Sequence, residues 1–228
     1  MADYSKFYSP DALILPDKIV QEKMMRAATK FQAPKELILD GYCTPVENQG
    51  DLPYCAAYAA TSFAESILWR KKHYHEDIDP EMVYKKAKEI DGHPELKGTS
   101  IDAALQALLE LDIFDKNICK VKTFAGRPFG RTDGLKSVQF AIHEYGCCVA
   151  GFNISKEWSS PSFFTDTISS KKSPTVCGHA VLITGYKKDR VRILNSWGKK
   201  YGDKGFVWVT NDVFDVQFIY GGVIENAY

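Results

Sequence analysis

The chain has 228 residues, 45% hydrophobic and 25% charged, which suits one large domain or two joined lobes with a substantial core. Its 29 basic and 29 acidic residues cancel, arguing against a protein that holds nucleic acid or an anionic membrane by bulk charge. No apolar run approaches the roughly 18 residues that a bilayer span needs. The first residues carry no basic-then-apolar signal pattern, so the expected location is the cytoplasm, or outside by a route needing no such signal.

No repeat, low-complexity tract or Pro/Gly/Ser-rich linker divides the chain, and its first half reads helical. Residues 17–31 place Ile19, Val20, Met24 and Ala27 at helical spacing between Pro16 and Pro34. Residues 55–72 lack Gly and Pro and are mostly small or apolar, predicting a long buried helix. A shorter amphipathic helix is expected over 80–90, and another over 100–111, capped by Thr99 or Ser100. After a helix at 135–145 the character changes. Short β-type runs follow at 148–154, 180–186, 191–194, 206–210 and 218–224, separated by Gly, Asp, Asn and Lys clusters. Helices first and strands later predict an α+β fold, with a helical lobe and a β lobe. A cleft between two such lobes is the natural place for chemistry.

Six cysteines need explaining: Cys43, Cys55, Cys119, Cys147, Cys148 and Cys177. They are sparse for a disulfide framework, and the adjacent Cys147 and Cys148 are poorly placed to bridge each other. No C-x-x-C is present, which removes the usual zinc and thioredoxin-type readings. His73, His75 and His93 lack nearby ligand spacing, so no metal site is expected. Either most of the thiols are buried small hydrophobes, or one is reactive.

Three segments carry a chemical reading. In the first, Val46 to Cys55, Cys55 opens the long helix, where backbone N–H groups and the macrodipole favour a thiolate. Gln49, followed by Gly50, can fold back and set its side-chain NH₂ beside the Cys55 N–H, making an oxyanion hole. In the second, Cys177 to Tyr186, His179 stands at the start of an apolar strand, suited to pair with a thiolate and then protonate a leaving amine. In the third, Asn195-Ser196-Trp197-Gly198, the Asn195 amide oxygen can fix the imidazole, with Trp197 covering that bond.

Together these segments resemble the papain family of cysteine peptidases. The resemblance rests on Pro45-Val46-Glu47-Asn48-Gln49-Gly50 with Cys55, on Gly178-His179-Ala180-Val181 with Gly185-Tyr186, on Asn195-Ser196-Trp197-Gly198, and on Tyr201-Gly202-Asp203-Lys204-Gly205-Phe206. It covers roughly residues 34 to 210. It implies a papain-like fold, a helical lobe plus a β-barrel-like lobe, occupying residues 34–228 behind an extension of residues 1–33. Cys55 would be the nucleophile, His179 the general acid–base, Asn195 its orienter and Gln49 the oxyanion donor of a cysteine endopeptidase. The substrate would be a peptide or protein, cleaved through an acyl-enzyme thioester with no metal or organic cofactor. Gly98, Thr99, Ser100, Val149, Cys177, Gly178 and Trp197 would line the substrate cleft.

Some positions depart from the family pattern. Pro53-Tyr54 replaces the usual Gly-Ser before the nucleophile, Ala56 the usual Trp after it, and Leu52 a cysteine that would form a disulfide near the site. Gly178 replaces the frequent Asp before the histidine, and Tyr201 stands where a second Trp is common. The expectation is altered substrate access with the catalytic pair intact. A deconjugating or transamidating enzyme with the same triad, or an inactive peptide-binding scaffold, is the alternative. Residues 1–33 are expected either to lie over the cleft as an autoinhibitory plug or to pack on the domain surface. Nothing in the sequence indicates an oligomeric state.

Overall fold

The computed structural model describes residues 13–14, 28, 30–125, 134–161, 166–170 and 173–227. The helix expected over residues 17–31 falls almost wholly outside them.

The longest helix, α1 (Cys55–Lys72), starts and ends where the composition predicts. It has no polar stripe, because Ala56, Ala57, Ala60, Phe63, Ala64 and Ile67 are all fully buried. Small residues on several faces let other elements approach it from several sides, the pattern of a central core helix. Arg70, Lys71 and Lys72 sit in its last turn, where the macrodipole favours cations, and His73 ends it in the left-handed region (φ 50°). Helix α2 (Pro80–Ile90) begins with Pro at its first position, and the Asp79 carboxylate accepts the Glu81 N–H at 2.9 Å. Helix α3 (Ile101–Glu110) is capped by Ser100, whose Oγ accepts the Ala103 N–H at 3.2 Å. These three helices pack on one another and form the helical part of the molecule.

The β part is an eight-stranded sheet: β1 (Leu37–Ile38), β2 (Lys120–Ala125), β3 (Cys148–Ser155), β4 (Thr167–Ile168), β5 (Thr175–Lys187), β6 (Arg190–Leu194), β7 (Phe206–Thr210) and β8 (Phe218–Glu225). Its order is β2-β8-β3-β5-β6-β7-β4, with β1 pairing on β5. Every pair is antiparallel except β4 with β7. The fold is therefore α+β as expected, but among the described residues the ladder is open and does not close into a barrel. Helices α4 (Gly134–Tyr145) and α5 (Asn211–Gln217) pack against this sheet.

Strand β5 is longer than its apolar run. It pairs with β3 from Cys148↔Ile183 to Ser155↔Thr175, so His179 lies in its interior, opposite Phe152. A register shift between Ile183 and Gly185 leaves Thr184 turned to Asp40, to which its hydroxyl donates at 2.8 Å, while its carbonyl accepts the Leu39 N–H at 2.9 Å. At Gly185 a Cβ would stand 2.6 Å from the Leu37 carbonyl oxygen, so only glycine lets β1 lie there. Asp40 also accepts from Arg192 Nε at 2.9 Å. The chain thus leaves the sheet from a fixed point and runs through residues 43–54 into α1. Helix α1 then packs back on β5, bringing the start of one against the middle of the other.

Candidate active site

Cys55 is the first residue of α1 and is fully buried. Its sulfur takes backbone hydrogen bonds from Ala180, Ala56 and its own N–H. The first of these places the thiol at the His179–Ala180 step of β5, and the other two come from the first turn of the helix, whose N–H groups have no intrahelical acceptor. Burial outweighs them and pushes the Cys55 thiol up to about 12, with Cys177 adding to the rise.

His179 is also buried, and its Nε2 lies 2.9 Å from Asn195 Oδ1. The same Asn195 oxygen accepts the Ser196 backbone N–H at 2.9 Å. Because a backbone N–H can only donate, the asparagine atom facing it is the oxygen, which fixes the amide orientation. It follows that His179 Nε2 carries a hydrogen and that Nδ1 is the basic nitrogen. Burial pulls the imidazole down to about 4, with the Asn195 bond opposing. The site as it stands therefore favours a neutral thiol and a neutral imidazole.

Aromatic rings seal this bond from water. Trp197 stacks on the His179 ring, centroids 4.9 Å apart and 28° between planes, and is itself nearly buried. Trp158 meets the other side edge-on at 6.4 Å. Tyr201 packs against Trp197 at 5.0 Å and donates its hydroxyl to the Trp158 carbonyl at 2.8 Å. Asn195 itself follows β6 directly, and its N–H bonds to the Gly205 carbonyl at 3.0 Å. Gly205 has φ +96°, and a Cβ there would strike Val46 at 2.4 Å.

Gln49 is bound into the same assembly. Its backbone N–H donates to the Ser196 carbonyl (2.9 Å), its Oε1 accepts the Ser196 hydroxyl (2.6 Å), and its Nε2 donates to the Leu52 carbonyl (2.8 Å). A carboxamide has two N–H bonds, so one remains for another acceptor. Neighbouring bonds, Asn48 to Trp197 as an isolated antiparallel bridge and Gly198 N to the Glu47 carbonyl at 2.9 Å, tie the two loops together. Tyr54, in place of a small residue before Cys55, stacks on Tyr84 of α2 with centroids 3.6 Å apart. Tyr84 in turn donates to the Lys97 carbonyl at 2.6 Å.

Beside these residues runs a short apolar pocket with an occupant. Leu13 forms a parallel bridge with Thr99, and the Ile14 N–H bonds to the Thr99 carbonyl at 3.1 Å. The Tyr220 hydroxyl donates to the Ile14 carbonyl (3.3 Å) and accepts the Ile101 N–H (2.8 Å). Built onto Gly178, a Cβ would stand 3.0 Å from Leu13 Cβ, and onto Gly151, 2.7 Å from Leu13 Cδ2.

Of the residues expected to line a cleft, Thr99 and Gly178 touch this occupant, while Gly98 holds a carbonyl to Lys88 Nζ at 3.1 Å. Ser100 has its hydroxyl committed to capping α3, and Trp197 covers the histidine. Cys177 is 5% exposed and acts electrostatically on Cys55. Val149 is fully buried two residues before Gly151 on the same face of β3. Sequence reasoning missed Gly151, Ile101, Tyr220 and Trp158. The only signal for the first was a glycine inside an apolar strand, which marks close approach of another group.

Comparison with known proteins gives a consistent answer. Residues 115–219 match the model of the papain family cysteine proteases, a stretch containing His179 and Asn195 and beginning after Cys55. Stem bromelain of Ananas comosus is 25% identical over 209 residues, covering 82% of this chain and 92% of its own. Among solved structures, xylellain, a cysteine protease from Xylella fastidiosa, superposes with a TM-score of 0.71 at 20% identity, over 96% of this chain and 94% of that one. Digestive procathepsin L2 from the larval midgut of Tenebrio molitor gives 0.66 at 17% identity, over 96% and 79%. The chain thus has a papain-like fold, its residues 115–219 match the papain family cysteine proteases, and these likenesses together support a divergent papain-like cysteine peptidase.

Proposed function

We propose that the chain is an endopeptidase working through Cys55, His179 and Asn195, and that the segment containing Leu13 holds it in a closed resting form. The observation that carries the first part is the His179 Nε2–Asn195 bond beside a thiol at a helix start. With Nε2 engaged, Nδ1 takes the Cys55 proton, and the thiolate sulfur attacks the scissile carbonyl carbon. The oxyanion that develops is met by the Cys55 backbone N–H and the second N–H of Gln49. Collapse breaks the C–N bond, and the imidazolium gives its proton to the leaving amine, leaving a thioester. Water, losing its proton to Nδ1, attacks that thioester and releases the acid and the free thiol.

The second part rests on Leu13 and Ile14, which occupy the Thr99 edge and the Gly151–Gly178 pocket where an extended peptide would lie. The resemblance to a procathepsin and to a stem bromelain precursor supports the same reading. The raised thiol and lowered imidazole fit a closed site, because both shifts are caused first by burial. Removing the segment admits water, weakens both shifts and favours proton transfer between the pair.

The test is labelling with an epoxysuccinyl thiol probe, read by intact mass, in the full chain and after removal of residues 1–33. The expected result is labelling that vanishes in Cys55→Ala and accelerates on truncation. Failure of any Cys55-dependent labelling in both forms would leave a non-catalytic peptide binder. A peptide-library cleavage profile then separates an endopeptidase from a narrow deconjugase.

A further inference from the structure

Two buried polar atoms behind the catalytic group have no hydrogen-bond partner among the described residues, and their side chains line one small cavity. The first is Asn195 Nδ2, on a side chain only 1% exposed. The Oδ1 of that amide is spent on His179 Nε2 and the Ser196 N–H, and Nδ2 can only donate. The second is Glu47 Oε2, an acceptor. The cavity has a volume of about 10 Å³, and its lining includes Glu47, Asn195 and Ser196, Tyr58 and Ser62 of α1, and Ala180 of β5. That is room for one water, among the several polar groups that a buried water needs. The backbone fixes both side chains there. The Glu47 carbonyl accepts the Gly198 N–H at 2.9 Å, the Gln49 N–H donates to the Ser196 carbonyl at 2.9 Å, and Asn48 pairs with Trp197 between them. A buried donor and a buried acceptor that do not reach each other are satisfied together by one bridging water.

We propose that Glu47 is a positioning residue for the catalytic pair, acting on Asn195 through one buried water that accepts from Asn195 Nδ2 and donates to Glu47 Oε2. This role rests on the assignment of His179 as acid–base and Asn195 as its orienter. The donors then run one way: His179 Nε2–H to Asn195 Oδ1, Asn195 Nδ2–H to the water, and the water to Glu47. Each bond polarises the next, so an acceptor at Glu47 makes Asn195 Oδ1 more negative and tightens its hold on the imidazole. The same polarisation favours the imidazolium that forms when Nδ1 takes the Cys55 proton. The titratable groups around Glu47 are Tyr58 and Glu65 of α1, with His75, Glu76, Asp77 and Asp79 beyond it. His179 faces Cys55, with Cys177 two residues away on the same strand. Burial and acidic neighbours keep Glu47 neutral up to about 8. Above that value the carboxylate is the stronger acceptor, so the hold on His179 tightens as pH rises through it.

The test begins with the full chain carrying Cys55→Ala, which reads the link without turnover. A crystal structure should show one ordered water within hydrogen-bond distance of both Asn195 Nδ2 and Glu47 Oε2. The NMR resonance of the His179 Nε2–H should move downfield as pH rises through about 8, and adding Glu47→Gln, which keeps an acceptor but cannot ionise, should remove that step. Adding Glu47→Leu, which keeps bulk without an acceptor, should shift the resonance upfield and speed its exchange with water several-fold. In the truncated enzyme with Cys55 restored, Glu47→Leu should lower kcat several-fold at unchanged KM, and Glu47→Gln should recover most of the loss. No water between the two atoms, a pH step that survives in Glu47→Gln, or equal kcat in all three proteins would each overturn the proposal. The comparison of the parent with Glu47→Gln decides it even if Glu47→Leu does not fold. Because the water and the resonance need no turnover, they judge the link separately from the endopeptidase reading, which fails on its own if Cys55 never labels.

Discussion

Leu13 Cδ2 lies 2.7 Å from the point where a Cβ on Gly151 would stand, with Ile101 Cδ1 at 3.3 Å and Tyr220 Cε1 at 3.4 Å from the same point. A missing side chain in the sheet is thus filled by a leucine from the far end of the chain. Leu13 is only 9% exposed, and burying a leucine contributes about 1.5–3 kcal/mol. Leu13→Ser should therefore loosen the segment and raise the rate of probe labelling at Cys55 about ten- to a hundredfold. Gly151→Val in the full chain should act in the same direction, since it closes the pocket to Leu13. It should also weaken peptide binding after truncation, seen as a higher KM with little change in kcat. Labelling rates unchanged by Leu13→Ser would show that this contact does not govern access.

Asn195 is the hydrogen-bond partner that holds His179 Nε2 in its described orientation, at 2.9 Å and under the Trp197 ring. Asn195→Ala leaves that N–H buried and unanswered, a cost of about 1–3 kcal/mol. We expect kcat/KM for a peptide substrate to fall about ten- to a hundredfold, with labelling of Cys55 slowed but not abolished. Asn195→Asp, which retains an acceptor, should recover part of the loss. Equal activity in the alanine variant would remove Asn195 from the catalytic group.

How much of this was legible in the residues differs by element. Helix α1 was readable to the residue because seventeen further positions without Gly or Pro follow Cys55, ending at Lys72. The His179–Asn195–Trp197 group was readable because His179 lies on β5 and the other two follow directly on its neighbour β6, at short spacing, in motifs whose chemistry has few other uses. Strand β2 was missed because Lys120-Val121-Lys122-Thr123-Phe124 does not alternate cleanly and its partner β8 lies about a hundred residues on, a pairing no local pattern reveals. Strands β1 and β4 are two residues long, below what periodicity can register. Of the glycines that Leu13 packs against, Gly178 stands beside the histidine in a motif and was legible, whereas Gly151 lies inside an apolar strand with no motif around it.

Lys88 braces the wall that Thr99 ends. Its Nζ donates to Asp91 Oδ2 at 2.8 Å, to the His93 carbonyl at 2.6 Å and to the Gly98 carbonyl at 3.1 Å, with the side chain 15% exposed. Lys88→Met keeps the stem and removes all three bonds, leaving residues 91–98 held mainly by backbone turns. Hydrogen bonds to a charged group contribute about 1.5–3 kcal/mol, so Tm should fall by several degrees. If the loop orders the Thr99 edge for substrate, KM in the truncated enzyme should rise several-fold more than kcat falls. A Tm loss with unchanged KM would confine Lys88 to stability.

Glu47 stands at the opposite side of the Gln49 loop, and burial, with Glu65 and Asp77 nearby, raises its carboxyl to about 8. Its Oε2 is buried without a hydrogen-bond partner, whereas Glu65 is satisfied by the Thr44 hydroxyl (2.5 Å) and the Ile78 N–H (2.9 Å). In the folded chain Glu47 therefore stays protonated up to about 8, while the unfolded chain releases that proton near the ordinary value of 4.5. Between those two values the unfolded state binds fewer protons, so stability contributed by the neutral carboxyl is full below 4.5 and is lost as pH rises through 8. Glu47→Gln has nothing to ionise, and its amide can donate toward the Glu65 side. Its Tm should match the parent at pH 5 and exceed it by several degrees at pH 9, with the difference opening across that interval. Partial exposure of the side chain screens the effect, so the sign and the pH window are the decisive readings. Parallel Tm–pH curves for the two proteins would mean that Glu47 titrates as an ordinary surface carboxylate.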